Sequence, residues 1–176
     1  LEGNNFVASE GSAESLNIGV LAVDWAGDYD ESLTIQGSGS LIATGGSAVE
    51  GSCGIGSGGN LIITGNVTIT AIGGTVTDED GLSWGMFAER DITISANAKV
   101  TAVGGKANGM SGGVVSDGSN IRIDNSTLIA RTLSSTGDAS ALEQDPALIN
   151  ASIAKASRNS SGSSPVAYTE DDFYDY

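Results

Sequence analysis

Leu61-Ile62-Ile63-Thr64-Gly65-Asn66-Val67-Thr68-Ile69-Thr70-Ala71-Ile72-Gly73-Gly74 decides the fold. Its apolar side chains fall at alternate positions, Leu61 and Ile63, then Val67, Ile69 and Ala71, the period of a strand with one buried face. The stretch is written twice more without a gap. Upstream by 28 residues, Leu33-Thr34-Ile35 leads to Leu41-Ile42-Ala43-Thr44-Gly45-Gly46; downstream by 31, Ile92-Thr93-Ile94 leads to Val100-Thr101-Ala102-Val103-Gly104-Gly105. A looser fourth copy, Ile121-Arg122-Ile123 to Leu128-Ile129-Ala130-Arg131, has slipped by one residue and lost the Gly-Gly.

Between each Gly-Gly and the next copy lies a third apolar patch, Cys53-Gly54-Ile55-Gly56, then Trp84-Gly85-Met86-Phe87, then Gly113-Val114-Val115. Three short strands per repeat predict an all-β chain coiled as a right-handed parallel β-helix of about five coils, roughly 24 Å of stack at ~4.8 Å per coil. Leu33, Ile35, Leu41, Leu61, Ile63, Ile69, Ile92, Ile94, Val100, Ile121, Ile123 and Leu128 should point inward in columns. Ser32, Asn60, Asp91 and Asn120 precede the first strand of each copy, and Ser38, Asn66, Asn97 and Asn125 mark the turn after it. Such residues tolerate turn geometry, and in a stack they can bond to one another.

The whole chain, 1–176, reads as one domain. Residues 1–31 form an acidic opening coil, 32–131 the repeats, 132–157 a last coil or short helix, and 158–176 an acidic, aromatic cap over the open end. Twenty-six glycines, 24 serines and only nine aromatic residues demand a core of small, regularly stacked side chains.

Seven basic against 22 acidic residues give a net charge of −15, which argues against nucleic acid or an anionic lipid surface as partner. No apolar run approaches the ~20 residues of a membrane helix. Nothing at the N-terminus has the basic-then-apolar form of a signal peptide. Histidine is absent, which removes imidazole bases and imidazole-built zinc sites. The single Cys53 suggests a small buried residue in a tight turn. Gly54-Ile55-Gly56-Ser57-Gly58-Gly59 spells a dinucleotide fingerprint, but the fingerprint needs a helix after it, and here a strand pattern follows.

The repeats resemble glycine-rich parallel β-helix modules of bacterial secreted and cell-surface proteins, some of them classed as carbohydrate-binding domains. The residues that carry the resemblance are Leu-Thr-Ile at 33–35, Leu-Ile-Ala-Thr-Gly-Gly at 41–46 and the run from Gly54 to Ile63. It implies an extracellular or cell-surface location and a binding or adhesion role toward a polysaccharide or surface glycan, without catalysis. The rival is a polysaccharide lyase or hydrolase, which needs carboxylates and an arginine converging on neighbouring coils. A structural spacer is the third reading.

Gly74–Asp91 is expected to be a loop joining the second and third copies. It is the longest insertion and combines Asp78, Glu79 and Asp80 with Trp84, Phe87 and Arg90. Trp84 is expected to stack on a sugar ring while Asp78, Asp80 and Arg90 meet hydroxyls. Asp78, Glu79 and Asp80 offer calcium a place better than Asp24, Asp28, Asp30 and Glu31 or Glu170, Asp171 and Asp172; the default is solvated loop charge and no cofactor. Trp84 and Phe87, three apart on an extended strand, should face opposite sides, leaving one ring exposed.

Overall fold

The alternation of apolar and hydroxyl-bearing residues becomes a parallel β-helix in the computed structural model, which describes residues 1–23, 31–118, 120–133, 139–142, 146–149, 152–155 and 166–168. The chain visits three sheets in rotation. Sheet 1 contains β3 (Leu16–Ala22), β7 (Gly51–Ser57), β10 (Leu82–Ala88), β13 (Met110–Ser116) and β16 (Ala139–Leu142). Sheet 2 contains β4 (Leu33–Gly37), β8 (Leu61–Gly65), β11 (Ile92–Ser95), β14 (Ile121–Asp124) and β17 (Ala147–Ile149). Sheet 3 begins with β1 (Asn4–Ala8) and continues through β5 (Ser40–Thr44), β9 (Thr68–Ile72), β12 (Lys99–Gly104), β15 (Thr127–Thr132) and β18 (Ser152–Lys155). These neighbours all pair in parallel; β19 (Val166–Tyr168) closes sheet 3 by pairing antiparallel with β18. A two-residue pair, β2 (Ser12–Ala13) with β6 (Ser47–Ala48), braces the turn from sheet 3 to sheet 1.

The columns fall where the alternation puts them. Leu33, Leu61, Ile92 and Ile121 are register partners in sheet 2, as are Ile35, Ile63, Ile94 and Ile123; Leu41, Ile69, Val100 and Leu128 align in sheet 3. All are buried except Leu33, which packs partly buried against the same core. Of the last coil or short helix expected over 132–157, the described part is strand, β16 to β18. Of the acidic cap, only 166–168 lie within the described residues.

Two polar ladders run up the corners. Asn60 takes a bond from its own N–H to Ser32 Oγ (3.0 Å), its Oδ1 accepts from Asp91 N (3.2 Å), and Asn120 Nδ2 donates to Asp91 Oδ1 (3.2 Å). At the next turn Asn125 Nδ2 donates to Asn97 Oδ1 (2.9 Å), and both asparagines hold a positive φ that their side chains tolerate better than most.

A third ladder explains the Gly-Gly pairs. Ser52 Oγ donates to Gly46 O (2.8 Å) and accepts from Gly74 N (2.8 Å); Ser83 Oγ donates to Gly74 O (2.7 Å) and accepts from Gly105 N (3.0 Å); Ser111 Oγ donates to Gly105 O (2.7 Å). A Cβ on Gly45, Gly73 or Gly104 would lie within 3.0 Å of these hydroxyls. Asn17 holds the first rung, accepting from Gly46 N. In the fourth copy Thr132 replaces Gly104 and Ala139 replaces Ser111, so glycine and serine are lost together.

Candidate functional site

Sheet 1 departs from strict alternation, and the departure builds the site. Gly19, Gly54, Gly85 and Gly113 share one position across β3, β7, β10 and β13. A Cβ on any of them would approach backbone atoms of sheet 3, at Thr44, Ile72, Val103 and Arg131 respectively, to under 3.0 Å. Only glycine lets the two sheets close so far. The next residues, Val20, Ile55, Met86 and Val114, also face the core, and Ile55, Met86 and Val114 are fully buried. Two consecutive residues per strand therefore point inward, and every later side chain is shifted to the opposite face.

That shift corrects the expectation for the aromatic pair. Trp84 precedes the kink and Phe87 follows it, so both lie on the outer face, half-buried, and stack with ring centroids 4.5 Å apart and planes 15° from parallel. The pyrrole edge of Trp84 leans over Gly112, whose missing Cβ would sit 3.0 Å from Trp84 Cδ1. Trp84 Nε1 is buried with no hydrogen-bond partner among the described residues.

The outward positions of β7 are small: Gly51, Cys53 and Gly56, then Gly58. On one side stand Leu16, Ile18, Leu21 and Val23, and on the other Leu82, Trp84 and Phe87. Between these two apolar ridges a trough of about 720 Å³ runs along β7. Leu16 and Leu21 remain 55% and 42% exposed, although large apolar side chains on the outside of a monomeric protein ordinarily stay scattered. Among the described residues five carboxylates, from Glu50, Asp78, Asp80, Glu89 and Asp117, border the trough, and the lining contains no Lys or Arg. Glu50, Asp78 and Asp80 precede their strands and Glu89 and Asp117 follow theirs, so acid stands at both ends.

Cys53 lies in the trough floor inside β7, not in a tight turn. It is buried, with Sγ 3.1 Å from Ile55 O, and desolvation, opposed weakly by backbone hydrogen bonds from Ile55 and Phe87, pushes its thiol up to about 12. It is an inert thiol.

Of the residues singled out by sequence, Trp84, Asp78 and Asp80 line the trough together, while Glu79 and Arg90 do not. Gly74–Asp91 is not one long loop, because 82–88 are β10; the insertion is a turn ending at Gly81. Arg90 follows β10 and Asp78 and Asp80 precede it, so a seven-residue strand separates them. Asp78 Oδ1 accepts the Asp80 N–H at 3.0 Å, a local turn bond. Among the described residues no three His, Cys, Asp or Glu side chains gather to hold a metal. Of the other two acidic clusters, Glu31 alone is described; Asp24, Asp28, Asp30, Glu170, Asp171 and Asp172 lie outside the described residues. Arg122 pairs with Asp124 at 3.0 Å within a single strand.

No protein-family model, curated protein or solved structure matches this chain. Its own geometry has to carry the functional reading.

The residues that sequence reasoning missed are Leu16, Leu21, Leu82 and the β7 glycines. Their signal was present: a glycine second in each of Ile18-Gly19-Val20, Cys53-Gly54-Ile55 and Trp84-Gly85-Met86.

Proposed function

We propose that this chain is a non-catalytic binding module, working in the secreted or cell-surface setting its repeats suggest, and that its site is the trough on the outer face of sheet 1. The observation that carries this reading is the apolar ridge pair. A solenoid that needed only to stand as a spacer would gain nothing from placing Leu16, Leu21, Trp84 and Phe87 outward around a floor of glycines.

The shape also supports binding over turnover. The floor is backbone already bonded within the sheet, plus a thiol held neutral, so it offers neither nucleophile nor base. The acids are grouped at the two ends of the trough, and its apolar middle carries none.

Two measurements test this reading. Incubation with pectin and xylan should release no unsaturated or reducing ends. Nile red, a neutral apolar dye, should fluoresce with the native protein and lose about tenfold in affinity in Phe87→Ala with the circular dichroism spectrum unchanged. Polymer cleavage, or dye binding indifferent to Phe87, would overturn it.

A further inference from the structure

We infer that the trough takes an extended peptide segment of a partner protein, apolar in its middle and basic at both ends. The inference deepens the binding reading above and rests on it.

Direction comes first. The lining runs from Glu50 to Gly58 along β7 and from Leu16 to Val23 along β3, so the trough follows the strands for the length of a seven-residue strand, about 23 Å at ~3.3 Å per residue. An extended segment of similar length fits that dimension. Its two walls stand on β3 and β10, the neighbours on either side of β7 and therefore about 10 Å apart, enough for one chain and not for a helix with its side chains.

Chemistry comes second. Floor and walls are Gly51, Cys53, Gly56, Ile18, Leu21 and Phe87, and the backbone of β7 is already paired on both sides. A guest cannot add itself as a strand here; it must be held by its side chains. Sugar hydroxyls would lose water against this surface and find few partners, and one face of each aromatic ring is already covered by the other. Apolar side chains lose nothing comparable.

Charge comes third. Glu50, Asp78 and Asp80 mark one end, Glu89 and Asp117 the other, all exposed, in a chain of net charge −15. Glu50 is positioned by a hydrogen bond from Ser15 Oγ (2.6 Å) and Asp78 by its bond from Asp80 N. The complement is a segment with Lys or Arg at each end, steered by the field and registered by the two acidic groups.

The test is calorimetric titration of the whole chain with a synthetic peptide of about eight residues, alternating valines and leucines between lysine pairs, a length set by the strand. We expect micromolar binding that weakens about tenfold when the lysines become glutamates, or when serines replace the apolar centre. Glu89→Gln combined with Asp117→Asn, both exposed, should weaken it roughly fivefold and flatten its salt dependence. Gly56→Val, which fills the floor where a Cβ has 3.1 Å to Leu21 Cδ1, should weaken it about tenfold with the fold intact by circular dichroism. Equal binding of the lysine and glutamate peptides, equal binding of the serine-centred peptide, or no binding overturns the inference. If the peptides fail and a glycan on an array binds in a Phe87-dependent way, the trough remains a binding site and only the peptide assignment falls. If every probe fails, both readings fall.

Discussion

Sheets 1 and 2 are laid down by the same turns of the same chain, yet they solve opposite problems. Sheet 2 alternates without interruption: Ile35, Ile63, Ile94 and Ile123 point in, while Thr34, Thr93 and Arg122 point out. Sheet 1 places a glycine at one inward position of β3, β7, β10 and β13, lets sheet 3 close against it, and turns Leu21 and Phe87 outward. Regular alternation yields a wall, and one glycine per strand converts a wall into a wall with an apolar exterior. The comparison teaches that in a solenoid the departure from period two is where function can be written, because the remaining columns are committed to stacking.

The largest effect should come from breaking the regular sheet. Ile63→Asp puts an unpaired carboxylate among fully buried neighbours, at a cost of about 4 kcal/mol or more, and should yield unfolded or insoluble protein by circular dichroism and size-exclusion chromatography. A soluble variant with an unchanged melting temperature would refute the column register.

Breaking the irregular sheet comes next. Alanine in place of a strand glycine is ordinarily neutral or stabilising. At Gly85 the new Cβ would meet Val103 N and Gly113 O, both backbone, within 3.0 Å, so Gly85→Ala should lower stability by about 3 kcal/mol in urea unfolding. Ser83→Ala removes one donor to Gly74 O and one acceptor from Gly105 N and should cost about 2 kcal/mol, against about 0.5 kcal/mol for Ser95→Ala, whose hydroxyl bonds Thr64 on the outer face of sheet 2.

Most of the scaffold was legible because its signals are local and repeated. The columns need only period two, and the asparagine ladder needs only polar residues at matching places. The serine ladder was not legible, because Ser52, Ser83 and Ser111 follow their Gly-Gly at unequal distances, the turn before Gly81 lengthening the middle one. The trough was half legible. Trp84, Asp78 and Asp80 stood out by residue type, but their grouping with Leu16 and Leu21 joins residues 57 to 68 positions apart, and the outward turn of Phe87 depends on a kink that strict alternation cannot express.

The smallest effect concerns Cys53 in the trough floor. Its thiol is raised by burial from 9.0 to about 12, so the folded state favours the neutral form. The stability this brings is complete below the unfolded thiol value and is lost as pH rises through that interval. Between about pH 9 and about pH 11, wild type should therefore lose roughly 1 to 2 kcal/mol more than Cys53→Ala. Parallel pH profiles for the two proteins would place the thiol in water.

The kink itself is tested most directly by two neighbouring substitutions compared in one thermal melt, Met86→Asp and Phe87→Asp. With Gly85 and Met86 both facing inward, Met86→Asp buries a charge in the core and should abolish the folded transition, whereas Phe87→Asp should remain folded and melt within a few degrees of wild type. Strict alternation from an outward Trp84 demands the reverse. A folded Met86→Asp beside an unfolded Phe87→Asp would contradict the account of sheet 1 and, with it, the trough.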